Sequence, residues 1–222
     1  MSEIVDHNDE SYKFMASHLD QADRYNGAFY YSQEIVEHFI PNIETDYNWI
    51  TVNVPYKAFD HSIVFIHNNR EPEKHYSWLK DYKDLILVCS VPRTMERVKD
   101  IGRPIYLPLS VDVEYVKKFK KPYKTRQQAF VGRLNKRKNK KLPRDIDIIG
   151  GLPRDTILQS MSHYQKVYAV GRCAIEAKVL GCEIGVYDDY YPDPDFWQIY
   201  DSREAAKELQ RKLKEEEWGK TQ

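Results

Sequence analysis

A chain of 222 residues with 41% hydrophobic and 31% charged side chains folds into one larger domain or two small ones. Its longest apolar runs, 63–66 and 85–89, are too short to span a bilayer, and its polar, acidic first nine residues carry no secretory signal, so a soluble cytoplasmic protein is expected. Lys+Arg and Asp+Glu balance at 34 each, yet 13 of the basic residues fall between Lys117 and Arg144, where there is no Asp or Glu; the rest of the chain holds 21 basic residues (34 less 13) against 34 acidic ones. Such a block is a solvated loop pair or the footprint of a polyanionic partner.

In chain order, Asn8 or Asp9 is placed to cap a helix through Leu19, and the aromatic run 28–31 reads as a short strand. Ser32 is the expected N-cap of a short helix ending before Pro41. Two strands rich in Val and Ile follow at 49–54 and 62–67, with a turn around 55–60 between them. Residues 71–82 read as a helix with Pro72 in its first turn. The continuous apolar run 85–89 has the character of a strand buried on both faces of a parallel sheet. A helix from Pro92 to about Asp100 and a strand at 105–109 complete the first half. Alternating strands and helices of this kind assemble as a parallel α/β sheet.

A short helix at 111–115 and the basic segment 117–126 separate the halves, giving expected domains at 1–118, 119–195 and 196–222. The second half opens with strand 129–131 and the loop 135–143, followed by strand 145–149, Gly150-Gly151 and a helix from Pro153 to about Ser162. Strand 166–170, Gly171, helix 172–180, Gly181 at the C-cap and strand 183–187 make one βαβ unit. Its turn brings backbone N–H groups and Arg172 to a helix N-terminus, a place that attracts anions. The acidic run 188–195 reads as a loop, and 196–200 and 202–217 as helices.

Glu176 is the odd residue of helix 172–180, because Cys173, Ala174, Ile175, Ala177, Val179 and Leu180 are apolar. A carboxylate one turn into the helix is suited to accept hydrogen bonds from a vicinal diol while phosphates sit at the turn. Alternatively it is a solvent-facing residue of a surface helix; under either reading, replacement by Ala is expected to leave folding nearly untouched.

Ala129-Phe130-Val131-Gly132-Arg133-Leu134 followed by lysines, and Gly171-Arg172-Cys173-Ala174-Ile175-Glu176-Ala177-Lys178-Val179-Leu180-Gly181, resemble the donor-binding half of GT-B glycosyltransferases over about 60 residues. The resemblance implies two Rossmann-like halves with a C-terminal helix crossing back onto the first. It also implies a nucleotide-sugar donor, expected to be a UDP-sugar, bound without an obligatory metal or other cofactor. By the resemblance the pyrophosphate falls to Gly132, Arg133 and Lys136 and the ribose hydroxyls to Glu176, while the helix N-terminus at Gly171 and Arg172 is a further expected phosphate contact. The bacteriophage DNA-modifying enzymes share this fold class, so DNA stands among the polyanionic acceptors that Lys138, Lys140 and Lys141 would serve.

The residues also leave other readings open. The chain has neither a P-loop nor a GxGxxG, and its first half lacks the glycine-rich loop many GT-B enzymes carry. Gly150-Gly151 reads as a strand-end turn. His67, at the end of strand 62–66, is either a general base for an acceptor hydroxyl or a turn histidine beside Asn68-Asn69. His61 beside Asp60 is a weaker candidate for the same work. Arg133 and Lys136 are equally members of the basic block, and Arg172 as a cation at a helix N-terminus opposes the dipole. Asp193-Pro194-Asp195 lacks the preceding strand a metal site needs. Three cysteines without a CxxC pair read as buried free thiols. A nucleic-acid-binding or scaffold protein on a degenerate GT-B-like frame, and a non-hydrolysing nucleotide-sugar epimerase, are the competing functions.

Overall fold

The computed structural model describes residues 27–51, 59–132 and 141–220. The helix expected at 9–19, the end of the strand expected at 49–54, and Arg133, Lys136, Lys138 and Lys140 lie outside the described residues. The class is α/β, with two four-stranded sheets that are parallel throughout. The chain divides into two compact units; among the described residues the first comprises 32–108 and 203–220, the second 27–31 and 109–202.

In the first unit the strands β1 (Asn48–Ile50), β2 (Ser62–Ile66), β3 (Leu85–Cys89) and β4 (Arg103–Tyr106) lie side by side in chain order. All five positions of β2 and all five of β3 are buried, as expected for central strands of a parallel sheet covered on both faces. Ile50, Val64, Ile66, Leu85, Leu87 and Cys89 form a core with Tyr76, Leu79, Val98 and Ile101 from the crossover connections. Phe39 meets Phe65 edge-on at 5.8 Å, and Trp49 stacks on Phe65 at 6.2 Å. Pro104 is tolerated in β4 because an edge strand bonds on one side only.

Several expectations for this half need correction. Residues 28–31 are not a strand; they belong to helix α1 (Gly27–Glu34), which runs on through a π turn (Ile35–Phe39) and a 3-10 turn (Ile40–Asn42). The β preference of aromatic residues reflects packing on a pleated sheet, and among the described residues none of the strands pairs with this segment to supply one. Ser32 is therefore mid-helix rather than its cap, and its hydroxyl donates to the Thr51 carbonyl at 2.5 Å. The helix expected over 71–82 breaks at Tyr76 into α2 (Pro72–His75) and a 3-10 turn (Ser77–Asp81). Tyr76 leaves helical geometry to bury its ring, and its hydroxyl accepts the His67 N–H at 2.8 Å. Helix α3 (Pro92–Val98) follows β3 directly.

The second unit begins its main stretch with helix α4 (Val113–Lys117), capped by the Asp112 carboxylate, which accepts the Tyr115 N–H at 3.0 Å. Strands β5 (Arg126–Val131), β6 (Asp147–Ile149), β7 (Tyr164–Tyr168) and β8 (Glu183–Gly185) are ordered β6-β5-β7-β8, with helix α5 (Arg154–Met161) between β6 and β7 and α6 (Arg172–Val179) between β7 and β8. Residues 196–200 are not helical, contrary to expectation. Trp197 is buried there against Tyr191 and Phe196, with ring centroids 4.9 and 4.8 Å apart, an aromatic knot that dictates the backbone path. The chain enters and leaves this unit through one parallel bridge, Val111 to Asp201, fixed by Val111 N–H to the Tyr200 carbonyl and Ser202 N–H to the Val111 carbonyl, each at 3.0 Å. Helix α7 (Ser202–Lys220) then returns to the first unit, where Gln210 bonds the backbone of Glu44. No helix among the described residues is long and apolar enough to cross a membrane.

Candidate functional site

The strand order of the second unit reverses at β5: its successor β6 lies on one side and β7 on the other. Connections leaving β5 and β7 therefore diverge, and in open α/β sheets a crevice outside the carboxyl ends at such a reversal is where ligands bind. Gly132 ends β5 and Gly171 follows β7, so the sequence candidates Gly132, Gly171, Arg172 and Glu176 all lie on the two elements that border the reversal. Both glycines have positive φ, 146° for Gly132 and 64° for Gly171, conformations that exclude most side chains and leave backbone exposed to a ligand. Gly132 also takes an N–H···O bond at 3.0 Å to Ile149, locking the turn onto β6.

Gly171 is the N-cap of α6, and its carbonyl accepts the N–H groups of Ala174 and Ile175. Arg172 and Glu176, one turn apart, are both buried. Arg172 Nη2 donates to Glu176 Oε1 at 2.9 Å, and Arg154 Nη2 meets the same oxygen at 3.2 Å. Oε2 makes no hydrogen bond among the described residues. This overturns the reading of Glu176 as a solvent-facing helix residue: the side chain is 5% exposed and neutralises arginines.

Arg154 carries no signal in its own sequence neighbourhood. It occupies the first turn of α5, just past the carboxyl end of β6, as Arg172 does past β7. Its guanidinium lies over the rings of Tyr115, at 4.9 Å, and Tyr30, at 5.8 Å, while its backbone N–H donates to the Tyr30 hydroxyl at 2.9 Å. Cys173 sits beside this cluster, and burial pushes its thiol up to about 12, as it does for Cys89, so neither is a thiolate nucleophile at neutral pH.

His67 belongs to the first unit, at the carboxyl end of β2. Its Nε2 donates to the Thr51 carbonyl at 2.5 Å, and burial lowers its pKa to about 4. A base that weak removes little of a hydroxyl proton near neutrality. His61 is at the opposite, amino edge of the same sheet. Its Nδ1 lies 2.6 Å from Asp84 and its Nε2 3.1 Å from Asp46, its ring stacks on Tyr47 at 3.8 Å, and Arg103 holds Asp84 at 2.7 Å. Those bonds tie together the amino ends of all four strands.

The basic block is not a uniform patch. Lys117 pairs with Glu114, Arg126 with Asp147 and Lys141 with Asp189, while the Lys124 ammonium donates to the Ser162 and Leu180 carbonyls at the ends of α5 and α6. Lys141 is thus engaged within the second unit. An open groove of about 600 Å³ runs along edge strand β6, past Thr125, Asp147, Ile149, Leu152 and His163. No group of three or more His, Cys, Asp or Glu among the described residues is arranged to hold a metal. No protein-family model, curated protein or solved structure matches this chain.

Proposed function

We propose that the chain is a glycosyltransferase that draws its sugar from a nucleotide sugar, with the second unit as the donor-binding half and the two sheets as its two Rossmann-like halves. The observation that carries this reading is the Arg154–Glu176–Arg172 cluster, with Arg172 and Glu176 buried and Arg154 partly so, near the starts of two helices that begin outside the carboxyl ends of β6 and β7, beside the reversal of strand order. A guanidinium fork matches phosphate oxygens two at a time, and a helix N-terminus adds backbone N–H groups to the same anion.

In this mechanism the diphosphate lies across Gly132 and Gly171, and Arg172 takes its charge. Glu176 uses Oε1 to hold both arginines in place and offers Oε2 to a ribose hydroxyl. Arg133 and Lys136, next along the chain from Gly132, add charge to the leaving diphosphate. Their preorganised positive charge stabilises the departing nucleotide as the glycosidic bond breaks. His67 has no part in it, being a weak base whose Nε2 is committed to a carbonyl.

Calorimetric titration of UDP and UDP-glucose, with GDP and CDP as alternatives, tests the reading. Wild type should bind one of them, and Arg172→Lys, which keeps charge but loses the fork, should bind it at least about tenfold more weakly. No binding of any nucleoside diphosphate by folded wild type, or equal affinities in the two proteins, overturns it.

A further inference from the structure

Tyr123 lies bare in the most basic part of the chain. Its ring is 79% exposed, the most exposed large hydrophobic side chain among the described residues. It follows Lys117-Lys118-Phe119-Lys120-Lys121-Pro122, and no acidic residue occurs between Glu114 and Asp145. Lys117 is engaged by Glu114 at 2.7 Å and Lys118 lies over the Tyr115 ring at 5.3 Å, whereas Lys120 and Lys121 have no acidic partner among the described residues.

The loop that displays this ring is pinned at both ends. On one side the N–H groups of Lys118 and Lys120 close turns onto Tyr115 and Lys117. On the other, the Lys124 ammonium reaches Ser162 O at 2.9 Å and Leu180 O at 2.8 Å, and the N–H groups of Thr125 and Arg126 both bond the His163 carbonyl. Pro122 fixes the backbone torsion just before the tyrosine. An aromatic ring kept in water on a held loop is presented to something, since binding there loses little conformational entropy.

We propose that this loop docks single-stranded nucleic acid, with a base stacked on Tyr123 and the flanking phosphates on Lys120 and Lys121. The proposal rests on the charge and exposure of this loop and is independent of the nucleotide reading above. Lysines without acidic neighbours select a polyanion, and the ring selects one with flat π faces. In a duplex those faces are buried between neighbouring base pairs, so the strand must be single. One ring per base suffices for stacking, which makes a lone tyrosine an effective contact. A membrane surface fits less well: anchoring at the interface needs several apolar side chains, and the neighbours here are lysines, a proline and the half-buried Phe119.

The test uses the full chain and a labelled oligodeoxythymidine of about 20 nucleotides, read by fluorescence anisotropy over a salt series. Wild type should bind at low salt with a steep salt dependence. Tyr123→Ala should weaken binding by at least about fivefold with an unchanged salt slope. Lys120→Ala combined with Lys121→Ala should reduce the slope by about 1.4, at about 0.7 for each phosphate contact on a single strand. All three positions are at the surface, so melting temperatures should match wild type. No binding at low salt, equal affinity after Tyr123→Ala, or equal affinity for blunt duplex and heparin overturns the proposal. So does Tyr123-dependent sedimentation with phosphatidylserine vesicles in the absence of oligonucleotide binding.

Discussion

In the first sheet the strands follow chain order, β1-β2-β3-β4, and in the second the order doubles back, β6-β5-β7-β8. When each strand is added on the same side, right-handed crossovers all fall on one face of the sheet and nothing separates neighbouring connections. A reversal sends two neighbouring connections apart and leaves room between them. The charged residues follow this difference. In the first unit the His61, Asp46, Asp84 and Arg103 group gathers at the amino edge, in partial contact with water, and ties strand ends together. In the second, Arg154, Arg172 and Glu176 gather at the carboxyl edge, with Arg172 and Glu176 buried and Arg154 partly so. Charged side chains thus make an exposed clasp at one edge and a more buried cluster at the other, and the proposed donor site rests on the second.

The largest test of that contrast is Glu176→Ala. Removing the carboxylate takes their shared partner from the buried Arg172 guanidinium and the partly buried Arg154 one, at a cost of about 3–5 kcal/mol. Urea denaturation should show this loss, together with loss of nucleotide binding, while Glu176→Gln keeps the shape and loses less stability. A change below about 1 kcal/mol for Glu176→Ala would mean that the cluster is no more than a surface pairing.

Leu87→Ala probes the first sheet, where the residue is fully buried at the centre of β3. A loss of about 2–5 kcal/mol is expected from the lost burial and the cavity left behind. Nucleotide affinity measured on the remaining folded protein should equal wild type. Weakened affinity here would erase the division of labour between the two sheets.

The smallest effect concerns His61. Burial pulls its pKa down, but the hydrogen bonds to Asp84 and Asp46 outweigh this and raise it above the ordinary value of 6.5. Its folded value lies above its unfolded one, so its contribution is fully present below about pH 6.5 and fades as pH rises through the folded value. The groups are more than one-third exposed, which keeps the contribution to a few tenths of a kcal/mol. Melting curves across this range for wild type and His61→Gln should converge at high pH. Parallel curves would remove the charged clasp from the account of the amino edge.

Much of the second unit is legible from local rules. Helix 172–180 ends where Gly181 stands, because the glycine N–H closes onto Lys178 and no longer continues the helix. In the first unit, the strand at 85–89 is given by its unbroken apolar run alone. Arg154 was invisible because its partner Glu176 is 22 positions away and on another helix, and no spacing rule links them. Glu176 itself was read as either exposed or ligand-binding for the same reason: its burial depends on what the sheet and α5 bring to it. The aromatic run at 28–31 misled because strand preference belongs to the surface a residue packs on, and that surface is set by distant parts of the chain.

The order of segments has a consequence for synthesis. The first unit is made of stretches that flank the second along the chain, since 203–220 belongs with 32–108. During translation the whole of 109–202 emerges before Ala205, Ala206, Leu209 and Leu213, which are buried residues of the last helix. Domains generally form as their residues leave the ribosome, N-terminal parts first. Here the sheet that starts earlier is the one finished later, so a nascent chain passes through a stage in which every strand of the second sheet has emerged and the first sheet is still short of a helix.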